Sequence, residues 1–343
     1  MKKVIILQNY IPHYRKPIYN ELGLKYDVTI LHSGNPSITE NDSFKEIIVK
    51  SHKTWKFYFQ SGVIKTLRAN KYDTIIAMFD LAWISYVLVN FIYPKKIIYW
   101  GHRYSSNSII NLFRSLMMKI SKGNILYSDI EVERMIASGI DRKKIFIANN
   151  TMLIPNKENC SNNLKDRFVF VGRAQKRKKV DLLITAFSNI LNELQSETKL
   201  YIIGEGKEND SLKEIVNKLS INERVIFTGA IHDNALLKMH FSKSYAYISP
   251  GPVGLGVLHS FAYGVPVVTL NYGKHGPEYH NIIDNENGLL FNDINELERI
   301  IINLEKNKNN TIRLGSNAFN HYNNKRNIKV MVNGLIQAIN YDY

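Results

Sequence analysis

Two stretches of this 343-residue chain carry residue types and spacing suited to holding a phosphate. The first, Ser249 to Thr269, reads SPGPVGLGVLHSFAYGVPVVT. Gly251, Pro252, Gly254 and Gly256 lead into an apolar run, expected to be a helix from Leu255 to Tyr263, and Gly264 closes it. Glycine at a helix entrance lets the backbone approach a ligand closely. Free N–H groups and the positive end of the helix dipole then favour an anion. A tight β-α-β connection, with glycines for steric reasons alone, would read the same way. In the second stretch Arg173 and Lys178 follow an apolar segment, RFVFVG, expected to be a strand. Cations at a strand end can stabilise negative charge that develops on a leaving group. The competing reading is a solvated basic run, since Lys176, Arg177 and Lys179 adjoin them.

The elements that must position these residues alternate. KVIILQN, DVTILH, TIIAMF, KKIIYW, NILYS and KIFIA read as short apolar strands separated by helices. Such alternation implies a parallel sheet covered on both faces. From Asn149 to Lys165 the pattern lapses into a polar linker. It then resumes with RFVFVG, KLYIIG, RVIFTG, YAYIS, PVVTL and GLLF, and the last 50 or so residues are helical and polar. The expected organisation is an N-terminal doubly wound domain (1–155), a second one (156–322), and a terminal helix (323–343) returning to the first. Strand C-termini of two such domains would meet a common cleft if the domains face each other.

Composition sets the remaining bounds. No apolar run approaches the roughly 20 residues needed to span a bilayer. VIIL after Met1-Lys2-Lys3 is too short for a signal peptide. A single cysteine, Cys160, rules out an internal disulfide framework and suits a reducing cytosol. A net charge of +15 suggests a polyanionic or membrane-surface partner. Nucleic acid is disfavoured because Lys and Arg are spread along the chain without a recognisable motif. A nicotinamide dehydrogenase is disfavoured because neither domain supplies Gly-x-Gly-x-x-Gly after its first strand. With no Asp-x-Asp pair or His/Cys cluster, no metal is implied, and no cofactor either.

Three segments in order carry a family pattern: VGRAQKRKKVDLLITAF, LYIIGEG, and GLGVLHSFAYGVPVVT followed by HGPE. Together they resemble glycosyltransferase family 4, retaining nucleotide-sugar enzymes of the GT-B fold, over about Phe168 to Phe291. The resemblance implies an α/β GT-B chain of two Rossmann-like domains. It implies Arg173 and Lys178 as the diphosphate-binding pair, and Gly254, Leu255 and Gly256 offering amides to the donor. Gly204 and Gly206 would border the nucleoside, with Ile231 near the base. His102 would bond a hydroxyl of the transferred sugar, and Asn150 matches the family's asparagine. Where the family has paired glycines in its first loop, this chain has NYIPHYRKP, with His13, Tyr14 and Arg15 as acceptor or diphosphate contacts.

The chain departs from the family at Gly251 and His259, where two glutamates are usual. Glu278 is the nearest surviving carboxylate. A histidine accepts one hydrogen bond only when neutral, so an imidazole with the usual pKa of about 6.5 would make donor binding vary between about pH 5.5 and 7.5. The activity implied is retaining transfer from a nucleoside-diphosphate sugar to a glycan, on a lipid-linked intermediate of a surface polysaccharide. The missing glutamates keep open a GT-B epimerase or a non-catalytic sugar-nucleotide-binding subunit. The place implied is the inner face of the cytoplasmic membrane. For anionic lipid, Lys53 to Phe59 (KTWKFYF) is the first candidate contact. The stripe Ile109, Leu112, Phe113, Leu116, Met117 and Ile120 is expected to pack on the sheet instead.

Overall fold

The computed structural model describes residues 1–101 and 107–342. His102 and Tyr343 lie outside them. The chain divides into two compact units, one of Met1–Leu153 with the segment beginning at Ile328, the other Ile154–Asn327.

The first unit runs β1 (Lys3–Leu7), α1 (Lys16–Gly23), β2 (Asp27–His32), β3 (Lys45–Ile48), β4 (Ser51–Thr54), β5 (Phe57–Gln60), α2 (Val63–Ala69), β6 (Thr74–Met78) and α3 (Ile84–Ile92). It continues with β7 (Ile97–Trp100), α4 (Ser108–Ile120), β8 (Gly123–Leu126), α5 (Val132–Ala137) and β9 (Ile145–Ile147). The second unit holds β10 (Arg167–Val171), α6 (Val180–Asn189), β11 (Lys199–Ile203), α7 (Asn209–Lys218), β12 (Val225–Gly229), α8 (Asn234–Ser242) and β13 (Ser244–Ser249). It ends with α9 (Gly256–Ala262), β14 (Val267–Leu270), β15 (Gly288–Phe291), α10 (Ile294–Lys306) and α11 (Lys308–Lys325). The last helix, α12 (Ile328–Asn340), belongs to the first unit.

Each unit is built on one parallel sheet. The first has the order β3-β2-β1-β6-β7-β8-β9, the second β12-β11-β10-β13-β14-β15. Side chains alternate across the first sheet as a period of two requires. Val4 and Ile6 join a core with α1 and α12, while Ile5 and Leu7 join the core beneath α2 and α3. Burial on both faces is why these strands read as unbroken apolar runs. Helix α12 reaches β9 so closely that a Cβ on Gly334 would lie 2.0 Å from the Ile147 carbonyl. Its Met331, Leu335, Ala338 and Ile339 complete that core.

KTWKFYF, the candidate lipid contact, lies in the antiparallel hairpin β4–β5. Trp55 stands at its turn with φ 53° and is 74% exposed. The stripe of α4 does not pack on the sheet as a whole. Ser115, Met117 and Met118 are the buried residues, whereas Ile109, Leu112, Phe113 and Leu116 are exposed. The spacing was helical, but the neighbours available to cover that face are not set by the local sequence.

Candidate functional site

In both sheets the strand order reverses beside the first strand, between β1 and β6 and between β10 and β13. Ligands of open α/β sheets bind outside strand C-termini at such reversals. In the second unit the segments leaving β10 and β13 flank this point, and they contain the basic and glycine-rich stretches.

After β10 the chain turns through Gly172 to Arg173, which is exposed. A short 3-10 turn, Lys176–Lys178, then delivers Lys179 in the left-handed region at φ 52° before α6 begins. Lys178 turns toward the glycine loop, and its Nζ donates to the Pro252 carbonyl. Burial pulls its pKa down to about 8; the Arg177 charge adds to this and the Glu278 carboxylate opposes it. Glu278 is itself buried, in the 3-10 turn Pro277–Asn281. Lys178 and Glu278 are therefore electrostatic neighbours. Lys176, Arg177 and Lys179 are exposed.

The glycines serve different ends. A Cβ on Gly251 would come within 2.1 Å of the Arg177 carbonyl and 2.5 Å of Lys178 Cα. On Gly204 it would meet the Gly172 carbonyl at 2.1 Å, and on Gly206 the Ala174 carbonyl at 2.0 Å. Gly256 packs against the Tyr247 hydroxyl. Close backbone approach explains Gly251, Gly204 and Gly206, and the Tyr247 side chain explains Gly256. Neither explains Gly254, because a Cβ there meets nothing within 4 Å and its φ is not positive. Among the described residues nothing accepts from the amides of Gly254, Leu255 or Gly256. An approaching acceptor-rich group accounts for both observations. Helix α9 begins at Gly256, one residue later than expected, and ends at Ala262.

His275 is the residue that sequence reasoning passed over. Its Nδ1 accepts from the Val253 amide at 3.4 Å and its Nε2 faces the Tyr272 carbonyl at 3.1 Å, so the ring is the neutral Nε2–H tautomer. It stacks on Tyr279 with centroids 4.3 Å apart. The Gly276 amide donates to the Val253 carbonyl at 3.2 Å. Together these contacts clamp the HGPE turn onto the glycine loop. The signal was present in the motif, but its reach to Val253 was not.

His259 differs from the expectation of an imidazole titrating near neutrality. Its ring packs with Phe241 and Tyr263, centroids 6.1 and 6.4 Å away, and its buried Nε2 has no partner. Burial lowers its pKa to about 4. Ile231, following β12, is half-buried. In the first unit His13–Arg15 form a 3-10 turn that separates their fates. His13 is exposed, Tyr14 half-buried, and Arg15 buried rather than presented outward. The sugar contact assigned to His102 falls outside the described residues. Among those residues no group of His, Cys, Asp and Glu could hold a metal ion.

Residues 156–321 match the family of glycosyl transferases group 1. An uncharacterized glycosyltransferase of Methanocaldococcus jannaschii is 26% identical over 281 residues, 79% of this chain and 60% of that protein. N-acetylgalactosamine-N,N'-diacetylbacillosaminyl-diphospho-undecaprenol 4-alpha-N-acetylgalactosaminyltransferase of Campylobacter jejuni is 28% identical over 61% of this chain and 50% of its own length. The chain thus spans about half to three-fifths of these relatives. The crystal structure of Anabaena Alr3699/HepE in complex with UDP superposes with a TM-score of 0.74 at 17% identity, over 99% of both chains. The chain therefore has the α/β GT-B fold, and its residues 156–321 match the glycosyl transferases group 1 family.

Proposed function

We propose that this protein transfers a sugar from a nucleoside-diphosphate sugar to a glycan acceptor with retention of configuration. The observation that carries the proposal is the triple of unpartnered amides at Gly254–Gly256 beside the half-buried ammonium of Lys178. Such an arrangement stabilises a diphosphate as charge grows on it, and it is in place before reaction. The bond from the anomeric carbon to the diphosphate oxygen breaks, and a bond to the acceptor hydroxyl oxygen forms on the same face. The hydroxyl proton passes to the departing phosphate, so no protein carboxylate is required. That is consistent with Gly251 and His259 in place of the usual glutamates. Arg173 and Lys178 hold the diphosphate, Gly204, Gly206 and Ile231 border the nucleoside, and Glu278 tunes Lys178. His102 and the His13–Arg15 turn serve the transferred sugar and the acceptor.

The acceptor we infer is lipid-linked, an intermediate of surface polysaccharide synthesis such as O-antigen, capsule or exopolysaccharide. The Campylobacter relative, named for an undecaprenol-linked acceptor, supports this. Peripheral attachment to an anionic membrane would follow. No helix among the described residues is long and apolar enough to cross a membrane. Support for attachment comes from exposed Trp55, Phe57 and Phe59 on the hairpin, with Lys56 over the Trp55 ring at 4.8 Å.

A panel of nucleotide sugars tests the reading. One donor should raise the melting temperature and be consumed only when an acceptor is added, and NMR of the product should show the donor's anomeric configuration. Donor conversion without acceptor would identify an epimerase instead. Binding without any turnover would identify a sugar-nucleotide-binding subunit.

A further inference from the structure

Helix α4 carries apolar residues on two sides. Met117 and Met118 lie in buried cores. Ile109, Leu112, Phe113 and Leu116 recur at i, i+3, i+4 and i+7 and are exposed, Ile109 and Leu112 by 79% and 74%. A surface helix ordinarily turns polar and charged residues to that side. The preceding helix α3 repeats the pattern, with Leu88, Phe91 and Ile92 exposed at the same spacing. The two helices pack together, and Asn90 Nδ2 donates to the Met117 carbonyl at 3.0 Å. The start of α3 also adjoins the hairpin β4–β5, where Tyr58 stacks on Trp83 with centroids 4.9 Å apart. Apolar exposure continued over neighbouring elements marks a surface that meets something else.

Charge decides what that is. From the start of β4 to the end of α4 (51–120) the sequence holds ten Lys and Arg, two Asp and no Glu. A second copy of this chain would set those cations against each other. Nucleic acid would satisfy the charge, but it binds aromatic platforms and offers nothing to branched aliphatic side chains such as Ile109 and Leu112. An anionic bilayer satisfies both needs, because it joins phosphates to acyl chains. A groove of about 380 Å³ between α4 and α5 brings the two chemistries together. Leu112 and Leu116 line it with Lys119, Arg134 and Ser138, and among the described residues no Asp or Glu does. Lys119 reaches across to α5, since its Nζ would lie 2.9 Å from a Cβ on Gly139, just past the end of that helix. Both Lys119 and Arg134 are exposed.

We propose that α4 and α5 form a site for an anionic phospholipid, its phosphate between Lys119 and Arg134 and its acyl chains along Leu116, Leu112 and Ile109. Leu88 and Phe91 of α3 meet neighbouring lipids. A lysine stem lying on apolar surface with its ammonium at the headgroup level suits such a boundary, and the Arg134 guanidinium can take two phosphate oxygens at once. This site rests on the membrane attachment proposed above and gives it a contact other than the hairpin tip, but it does not rest on sugar transfer.

A fluorophore placed in the stripe tests the site. Ile109→Cys in the full-length protein, labelled with a polarity-sensitive dye, should shift to the blue on vesicles of phosphatidylcholine with phosphatidylglycerol. Vesicles of phosphatidylcholine alone should give little change. The one native cysteine, Cys160, is buried. The same dye on Lys213→Cys, exposed on α7 of the second unit, should not respond. Lys119→Gln with Arg134→Gln should weaken partitioning about tenfold. Leu112→Ser with Leu116→Ser should weaken it by at least as much. All four side chains are exposed, so both variants should keep the wild-type circular dichroism. A protein that sediments with vesicles while the dye at position 109 stays unshifted overturns the proposal and leaves the hairpin as the contact. Equal binding to both kinds of vesicle overturns the phosphate site. A lipid-free dimer that Leu112→Ser with Leu116→Ser dissociates overturns it as well, by making this face a contact between copies. Turnover of a nucleotide sugar without vesicle binding would sink the lipid site and the attachment. Vesicle binding without turnover of any nucleotide sugar would sink the transferase reading alone.

Discussion

The amide of Gly251 donates to the carbonyl of Lys178 at 3.0 Å, which ties the glycine loop to the basic turn in the second unit. Contact is so close that position 251 has no room for a Cβ. The absence of the usual glutamate there is therefore matched by the local backbone path. It also fixes where the Lys178 side chain starts, so its ammonium reaches Pro252 beside the three unpartnered amides.

Lys178→Ala and Arg173→Ala should each lower kcat/KM by roughly 2–4 kcal/mol in transition-state terms, while exposed Lys176→Ala stays near wild type. The pKa of Lys178 near 8 adds a pH signature. The ammonium is charged below that value, so donor binding should be pH-independent there. Above it, a proton must be taken up on binding and Kd should rise by up to about tenfold per pH unit. Equal losses for all three variants would mean a diffuse basic surface rather than a site.

Gly254 separates ligand contact from packing. Gly254→Ala meets open space, so its melting temperature should stay within about 2 °C of wild type while donor affinity falls. Gly204→Ala combines φ 140° with a 2.1 Å clash and should cost roughly 1–3 kcal/mol of stability. Unchanged donor affinity in Gly254→Ala would remove this residue from the donor site.

His259 should leave donor binding flat between about pH 5.5 and 7.5, because the folded protein holds it neutral down to about 4. Its effect belongs to stability instead. The unfolded imidazole protonates from about 6.5 downward while the folded one does not, so stability is full above that and declines toward pH 4. The slope from this residue is at most about 1.4 kcal/mol per pH unit. His259→Phe, which suits the Phe241 and Tyr263 packing, should flatten urea-melt stability over pH 6.5–4.5. An unchanged slope would show that His321, also lowered to about 4 by burial, dominates.

Membrane attachment is checked by co-sedimentation with liposomes. Binding should increase with anionic lipid, decrease with salt, and drop when Lys53, Trp55, Lys56 and Phe57 are replaced together. A quadruple variant that binds as well as wild type would exclude the hairpin as the contact.

Much of this protein was legible in its sequence. Runs such as VIIL and VVTL sit in sheets buried on both faces, a condition that demands continuous apolar strands, so the doubly wound architecture could be read directly. A strand followed by a tight turn places the whole basic stretch at the sheet's C-terminal edge, and only the match to the family pattern singled out Arg173 and Lys178 from Lys176, Arg177 and Lys179. The short strands β3 to β5 were missed because KEII and SHKT alternate too weakly to stand out. Tertiary structure alone decided the rest, since each outcome depends on a partner distant in the chain. Whether a glycine serves a ligand or a neighbour depended on Gly172, Ala174 and Lys178 approaching from the segment that follows β10. Whether the α4 stripe was covered depended on what packed above it. His259 left the neutral range because Phe241 came to lie against it, and Arg15 became a caged cation because Trp100 and Tyr127, from strands far along the chain, closed around it. Local propensity sets periodicity, but burial, charge environment and steric room belong to contacts across the sheet.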